Sequence, residues 1–204
     1  ISSARKKYTD FFGVASGEKN IFFTNNDSAY ETAISLIEKG ININAIVDIR
    51  EKVDSKLVYE VEKNNIKIFK GYTIIDTCGY KRIKEIFIKQ LSKDGQKVLG
   101  PKINLSCDCL GVSGGWTPAV HLFTQSGGKL KFKEEDQVFI PSIYPSDQLS
   151  IGSCKGDFTL NEILINTPKS LKDYFNIKNT EYDNLEILSS TNSSKRNIWL
   201  LPSD

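Results

Sequence analysis

The chain has 204 residues but no methionine, a single histidine and only four cysteines. So few cysteines do not make a disulfide scaffold, and we predict a reduced, cytoplasmic setting. Cys107 and Cys109 lack the second cysteine pair or histidine cluster that a zinc site needs, so we expect core cysteines and no bound metal. His121 has no visible catalytic partners in the sequence, and we predict no catalytic residue in this chain.

The sequence also lacks a large charge of either sign and any long apolar run. Lys and Arg number 27 against 25 Asp and Glu, a net charge of +2, which is too small to favour nucleic acid or a membrane surface as a partner. No apolar run approaches the roughly 20 residues of a membrane span, and the basic start is not followed by the apolar core of a signal peptide. The missing methionine and the end at residues 199–204 predict a portion excised from a longer polypeptide.

Residues 21–50 have the layout of a dinucleotide-binding βαβ unit, but they lack its glycines. Ile21–Thr24 is a short apolar run, which is typical of a buried parallel strand. Helical spacing of apolar residues follows in Ser28–Lys39, and Ile43–Ile49 is a second β-rich run. Where G-x-G-x-x-G would stand, the chain has Thr24–Ala29, TNNDSA. The pattern predicts two parallel strands joined by a right-handed crossover.

The rest of the chain predicts a third strand, a β-meander and several shorter elements. The meander follows from three β-rich runs with partial alternation, two of them joined by a turn at residues 92–95. We predict helices over Ser55–Asn64 and Thr159–Ile165, and strands over Ile66–Phe69, Tyr72–Asp76, Arg82–Leu91, Lys97–Ser106, Cys107–Val112, Lys129–Phe132, Val138–Ile140 and Leu149–Gly152. The predicted fold is α/β, a Rossmann-like parallel sheet with crossover helices and an inserted antiparallel β-meander. We assign this domain to residues 1–165, and predict that the polar residues 166–204 form a helical excursion and a linker.

The turn after the first predicted strand is the first candidate binding site. A helix N-terminus offers unpaired N–H groups to a pyrophosphate, and Asn25 and Asn26 are residues that could adopt the left-handed angles that glycine usually supplies. Asp27 would repel a phosphate unless it points away and caps the helix. The alternative is that Asp27 or Ser28 simply caps a helix that binds nothing.

An acidic residue at the end of the second predicted strand favours an adenosine ligand. Asp48 lies 23 positions after Asn25, near the roughly 20 at which such a residue bonds the ribose hydroxyls of a dinucleotide. This spacing favours NAD over NADP, although Arg50 could instead accept a 2′-phosphate. The alternative for Asp48 is a solvated strand end.

A second candidate site lies where a buried strand runs into Ser113-Gly114-Gly115 and then Trp116. This stretch resembles the ATGxxPN element of two-dinucleotide flavoproteins, in which small residues let the backbone approach a cofactor. Trp116 could stack on a cofactor ring or simply pack against the protein. Residues 150–157 resemble the later Gly-Asp element of those flavoproteins, but Ser153 stands where aspartate would follow glycine.

Four stretches of the chain are distinctive: FTNNDSAYETAISL, AIVDIRE, VSGGWTPAVHLFTQSGGKL and the closing WLLPSD. Together they resemble the α subunit of heterotetrameric sarcosine oxidase, and the resemblance extends from about Tyr8 to Asp204. The resemblance implies a much longer α chain, with a middle portion of the pyridine-nucleotide-disulfide-oxidoreductase fold that binds NAD and a later aminomethyltransferase-like part that handles tetrahydrofolate. It also implies that sarcosine is oxidised on a covalent flavin of the β subunit, with FMN near the α/β boundary, to glycine, hydrogen peroxide and formaldehyde or methylene-tetrahydrofolate.

The resemblance implies that residues 25–28 contact phosphate, Asp48 contacts ribose and residues 113–115 face the cofactor. Our hypothesis is an NAD-binding portion of that α subunit, inactive alone, whose partners are the β, γ and δ subunits and the rest of the α chain. FAD and FMN are expected in the full complex and not in this portion, and residues 166–204 would lead to the aminomethyltransferase-like part. Two alternatives stay open: a degenerate Rossmann-like scaffold that only docks neighbouring subunits, and a free-standing NADH:flavin reductase, against which the missing glycines count.

Overall fold

A computed structural model describes residues 1–145, 147–177, 196, 198, 201 and 202, which fall into two units. The first unit is Ile1–Gly115 with Ser193–Asp204, and the second is Trp116–Asn192. The first unit contains α1 (Ser2–Phe12), β1 (Asn20–Thr24), α2 (Ser28–Ile37), β2 (Ile43–Asp48), α3 (Lys56–Lys63), β3 (Lys67–Lys70), β4 (Tyr72–Gly79), β5 (Ile83–Leu91), β6 (Val98–Ser106) and β7 (Cys109–Ser113). The second contains α4 (His121–Gln125), β8 (Lys129–Lys133), β9 (Val138–Ile143), a 3-10 turn (Gly152–Cys154) and α5 (Leu160–Phe175).

The first unit is built on a four-stranded parallel sheet with the strand order β3-β2-β1-β7. Successive side chains of a strand point to opposite faces of the sheet. Phe22 of β1 therefore packs into a cluster with Ala29 and Tyr30 of α2, whereas its neighbour Ile21 packs with Ile86 and Ile88 of β5. Burial on both faces is the usual setting of a parallel sheet.

The second layer of the first unit is the antiparallel meander β4-β5-β6, which follows β3 directly. The predicted turn between its last two strands is present, because the Gly95 N–H donates to the Ser92 carbonyl at 2.9 Å. Both the Rossmann-like parallel sheet with crossover helices and the inserted antiparallel meander are therefore confirmed.

The second unit contains the β8–β9 hairpin and α5, and two predictions made for it were wrong. No strand forms over Leu149–Gly152, because Gly152 has φ +62° and opens the 3-10 turn, where its carbonyl accepts from the N–H of Lys155 at 2.9 Å. The helix predicted to end at Ile165 continues to Phe175 and stops where Asn176 turns left-handed. The sequence also gave no signal for the five-residue α4.

The proposed boundary at residue 165 stays a prediction, and much of the polar stretch after it, residues 178–195, lies outside the described residues. Among the residues that the structure does describe, no helix is both long and apolar enough to cross a membrane.

Candidate functional site

Three strand ends meet at the carboxyl edge of the parallel sheet, where ligands bind in open α/β folds. Thr24, the last residue of β1, lies in register with Asp48 at the end of β2 and with Ser113 at the end of β7. The register therefore brings two of the predicted site residues beside the turn that joins β1 to α2.

Side chains, rather than glycines, shape this turn. The Asn26 Oδ1 accepts from the Ser28 N–H at 3.0 Å and from the Ser28 Oγ at 2.6 Å. Thr24 Oγ1 accepts from the Asn26 N–H at 3.1 Å and donates to the Asn26 carbonyl at 2.8 Å. Neither Asn25 nor Asn26 has a positive φ, so the left-handed angles considered for them are wrong. The physical reason is that these polar contacts hold the turn without such angles.

The same turn is tied to the end of β7. The Asn25 N–H donates to the Ser113 carbonyl at 3.3 Å, and its side-chain amide donates to the Gly114 carbonyl at 3.2 Å. The hydroxyls of Ser28 and Ser113 are 2.8 Å apart. The structure thus gathers five predicted site residues into one polar cluster, and its donors and acceptors largely satisfy one another.

Asp27, the predicted obstacle to a phosphate, does point away from the helix end. It occupies the N-cap position of α2, but its side chain makes no capping hydrogen bond. Its carboxylate instead forms an ion pair with the Arg50 Nη1 at 2.7 Å. The carboxylate beside the helix N-terminus is therefore paired with a guanidinium of the same protein.

Arg50 also holds Asp48, so one guanidinium joins both predicted aspartates. The Asp48 carboxylate, 0% exposed, accepts from the Arg50 Nη2 at 2.7 Å, from its Nε at 3.0 Å and from its backbone N–H at 2.8 Å. Burial acts to lower the pKa of Arg50, but the hydrogen bonds and charge of Asp48, followed by those of Asp27, outweigh it and leave that pKa raised. We call Asp27, Asp48, Arg50 and Tyr30 the Arg50 cluster.

Tyr30 completes the Arg50 cluster, and sequence reasoning missed it. Its hydroxyl, carried by α2, donates to the Asp48 Oδ2 at 2.8 Å, and the side chain is fully buried. Burial first, and then the charge and hydrogen bond of Asp48, raise the pKa of Tyr30 far above its usual range. A signal was present in the sequence: a tyrosine on the apolar face of a helix needs a buried partner for its hydroxyl.

The Arg50 cluster changes what the predicted ribose contact requires. The Asp48 carboxylate accepts hydrogen bonds from four donor groups, which are the Tyr30 hydroxyl and the backbone N–H, Nε and Nη2 of Arg50. A ribose hydroxyl would have to displace one of these donors and reach a fully buried side chain. The ribose role of Asp48, and a 2′-phosphate role for Arg50, stay predictions.

The remaining predicted residues follow β7. Gly115 has φ +116°, and open space surrounds the position where a Cβ would lie. Trp116 begins the second unit, is 56% exposed and lines a cleft with Thr117, Ala119, Ser153 and Phe158. The structure thus shows Trp116 in a cleft built entirely from second-unit residues.

Comparisons with known proteins agree with the predicted resemblance. No protein-family model matches the chain. It is 28% identical over 160 residues to the sarcosine oxidase subunit alpha of Corynebacterium sp. strain P-1, covering 78% of this chain and 16% of that subunit. It is 26% identical over 140 residues to the subunit of the same name from Rhizobium meliloti strain 1021, covering 69% of this chain and 13% of that subunit. The resemblance to sarcosine oxidase α subunits is confirmed, and the chain spans about one sixth or less of these relatives' length.

Solved structures support the fold alone. T. acidophilum thioredoxin reductase superposes with a TM-score of 0.53 at 16% identity, covering 86% of this chain and 57% of that one. A 2-naphthoyl-CoA reductase in complex with 2-naphthoyl-CoA gives a TM-score of 0.50 at 19% identity, covering 75% of this chain and 20% of the reductase.

Proposed function

From its similarity to sarcosine oxidase α subunits, we propose that this chain is a portion of the α subunit of an oxidoreductase of that kind. The intact enzyme would be a cytoplasmic complex with β, γ and δ subunits that oxidatively demethylates sarcosine to glycine, hydrogen peroxide and formaldehyde or methylene-tetrahydrofolate. Its FAD and FMN, and the folate-handling part, would lie outside this portion. The observation that supports the proposal is 28% identity maintained over 160 residues.

The role within the subunit that the geometry supports best is a Rossmann-like scaffold that docks neighbouring parts of the enzyme. The Arg50 cluster carries this conclusion. In a nucleotide site, the helix N-terminus and the acidic strand end stay available to phosphate and ribose. Here one buried guanidinium binds Asp27 and Asp48 together at 2.7 Å each. The acidic residue that would meet the ribose is thereby paired within the protein, and so is the carboxylate at the start of α2.

NAD binding at the turn is the second candidate function, and a different observation favours it. Thr24, Asp48 and Ser113 end their strands in register, at the edge where dinucleotides bind in this architecture. The β1–α2 turn and the residues after β7 would then flank the pyrophosphate. For NAD to bind in the usual way, Arg50 would have to release Asp48.

Calorimetric titration of the chain with NAD, with NADP and FAD alongside, separates the two roles. The scaffold role predicts no saturable heat with any of the three nucleotides, both for this chain and for the intact α polypeptide. Saturable NAD binding that Asp48→Asn weakens would establish the NAD role instead. Asp54→Asn, which changes an exposed aspartate of the same unit, is the matched control and should leave any binding unchanged.

The intact enzyme tests the wider proposal independently of the nucleotide. The α polypeptide assembled with its partner subunits should produce hydrogen peroxide from sarcosine, whereas this chain alone should produce none. An assembled complex that leaves sarcosine untouched would contradict the assignment to a sarcosine oxidase. The free-standing NADH:flavin reductase alternative predicts NADH oxidation by the isolated chain with added flavin, which the same samples can test.

A further inference from the structure

The turn between β4 and β5 carries positive charges that have no partner in the first unit. We call residues 77–84, TCGYKRIK, the hairpin tip. It contains Lys81, Arg82 and Lys84 and no acidic residue, whereas the whole chain has a net charge of only +2. All three side chains are exposed, and none forms an ion pair with a residue that the structure describes.

The two acidic residues that flank the hairpin tip in sequence are engaged elsewhere. The Asp76 carboxylate lies 3.7 Å from the Nζ of Lys102 on β6. The Glu85 Oε2 accepts from the side-chain amide of Asn104, also on β6, at 3.2 Å. The positive charge of the hairpin tip therefore stays available to a group from outside the meander.

A glycine fixes the shape of the hairpin tip. Gly79 pairs with Ile83 across the hairpin, so only three residues form the turn between the strands. A Cβ on Gly79 would overlap the carbonyl oxygen of Arg82, and its φ of +152° is one that a residue with a side chain rarely adopts. The close turn therefore depends on glycine and presents its side chains in a preformed arrangement.

An exposed aromatic ring and a small cleft accompany the charge. Tyr80 is 95% exposed, more than any other large apolar side chain that the structure describes. The hairpin tip surrounds a cleft of about 200 Å³, whose lining includes Cys78, Lys81 and Arg82. This volume is below the roughly 300 Å³ at which small-molecule sites begin. The cleft therefore suits an inserted side chain better than a cofactor.

The residue types of the hairpin tip define the kind of partner. A guanidinium binds a carboxylate through two parallel hydrogen bonds, and Lys81 adds a second cation beside Arg82. Tyrosine and arginine are also the residues that most often dominate the binding energy of protein interfaces. Three cations on one short turn are few for nucleic acid, which is bound through a broad basic surface. The chemistry therefore favours an acidic protein segment.

We propose that the hairpin tip docks an acidic segment of a partner subunit. A carboxylate of that segment would lie between Lys81 and Arg82, and the ring of Tyr80 would pack against the same segment. The inference rests on the proposed scaffold role and names a surface through which the scaffold binds its neighbour. It does not depend on NAD, because the hairpin tip contains none of the predicted nucleotide contacts.

Carbodiimide cross-linking of the intact α polypeptide assembled with its partner subunits tests the chemistry of this contact. The reagent joins an ammonium to a carboxylate that it touches, without a spacer. We expect Lys81 to be joined to an aspartate or glutamate of a partner subunit, identified by mass spectrometry of the peptides. Cys78, exposed in the tip cleft, is an independent reporter, and assembly should slow its alkylation by iodoacetamide at least tenfold.

Matched variants measure what the contact contributes to assembly. Arg82→Glu should raise the Kd between the α polypeptide and its partner subunits at least tenfold at low salt, and by less at high salt, which screens exposed charges. Arg82→Lys keeps the charge and should have a smaller effect, whereas Tyr80→Ala should raise the Kd on the order of tenfold. Lys52→Glu reverses an exposed charge outside the hairpin tip and should leave the Kd unchanged. Unchanged far-UV circular dichroism checks that each variant is folded.

The wild-type and variant results separate failure of this inference from failure of the proposed function. The inference is overturned if the wild-type polypeptide assembles but Arg82→Glu and Tyr80→Ala leave the Kd unchanged and Cys78 stays fully reactive. A Lys81 cross-link to the same α polypeptide, or to a second copy of it, would also overturn it. A wild-type polypeptide that binds no partner subunit would contradict the proposed function itself, and the inference would fall with it.

Discussion

Replacing Arg50 by methionine tests whether the Arg50 cluster is as buried and as strongly paired as its geometry indicates. Methionine keeps a long apolar side chain but removes the guanidinium. Asp48, 0% exposed, would retain only the Tyr30 hydroxyl and the backbone N–H of position 50 as donors. Asp27, whose side chain is 13% exposed, would lose its 2.7 Å ion pair.

The expected cost follows from the burial of the two carboxylates. Removing one partner of a buried ion pair costs about 3–5 kcal/mol, because the other charge is left uncompensated. The pair with Asp48 is of this kind. Asp27 reaches solvent in part, so its lost pair should add no more than about 1 kcal/mol. We therefore expect Arg50→Met to lower the free energy of unfolding of the first unit by about 3–6 kcal/mol.

Urea unfolding at pH 7, followed by far-UV circular dichroism, measures this change as a lower midpoint at an unchanged slope. Arg82→Met is the matched control, because Arg82 is exposed and its loss should cost no more than about 0.5 kcal/mol. Adding Asp48→Asn to Arg50→Met removes the stranded charge and should recover at least about 1 kcal/mol.

Two outcomes would refute the reasoning about the Arg50 cluster. If Arg50→Met cost less than about 1 kcal/mol, the guanidinium would not be compensating a buried carboxylate. If Asp48→Asn further destabilised the Arg50→Met variant, the cost would come from lost packing rather than from an uncompensated charge.

Two further predictions concern single residues of the first unit. The pKa of Tyr30 is raised by burial and by Asp48. The contribution of the Tyr30 hydroxyl to stability is therefore complete below the ordinary tyrosine pKa of about 10 and is lost as the pH rises further. Tyr30→Phe should leave the spectrophotometric tyrosine titration up to pH 12 unchanged, and a smaller absorbance rise in the variant would contradict this. Gly111→Ala would place a Cβ 2.7 Å from the Phe22 ring and should lower the free energy of unfolding in urea by about 1–3 kcal/mol. Gly114→Ala, with nothing within 4 Å of its Cβ, should leave that free energy unchanged. Equal effects of the two substitutions would contradict the close packing of Gly111 against Phe22.

Much of the fold could be predicted because it depends on local patterns. The apolar run of β1 and the helical spacing of α2 can be recognised without knowing which segments of the chain contact one another. Positions where one residue decides the conformation were less predictable. Gly152 lies in a stretch that reads as a strand, yet its positive φ starts a 3-10 turn. The length of α5 was missed because its second half, beyond Ile165, is polar and contains Pro168.

The sequence indicated where the residues of the candidate site lie in the fold better than it indicated what their side chains contact. Spacing indicated that Asp48 ends the second strand, and the resemblance put Ser113 beside the cofactor. The register of the parallel sheet brings both residues to the edge that carries the β1–α2 turn. Spacing did not reveal that the turn would be held by Asn26, Ser28 and Ser113. Hydrogen bonds between side chains 85 or more positions apart have no signature in a single sequence.

Periodicity and runs of residues were enough to predict the α/β architecture, the inserted meander and the sarcosine oxidase resemblance. The folded chain was needed to reveal that Asp27 and Asp48 share one guanidinium and that Tyr30 donates to Asp48. The physical reason is that a buried charge is stable only beside a partner. Which residue becomes that partner depends on how α2 packs against β2, and no residue spacing specifies that packing.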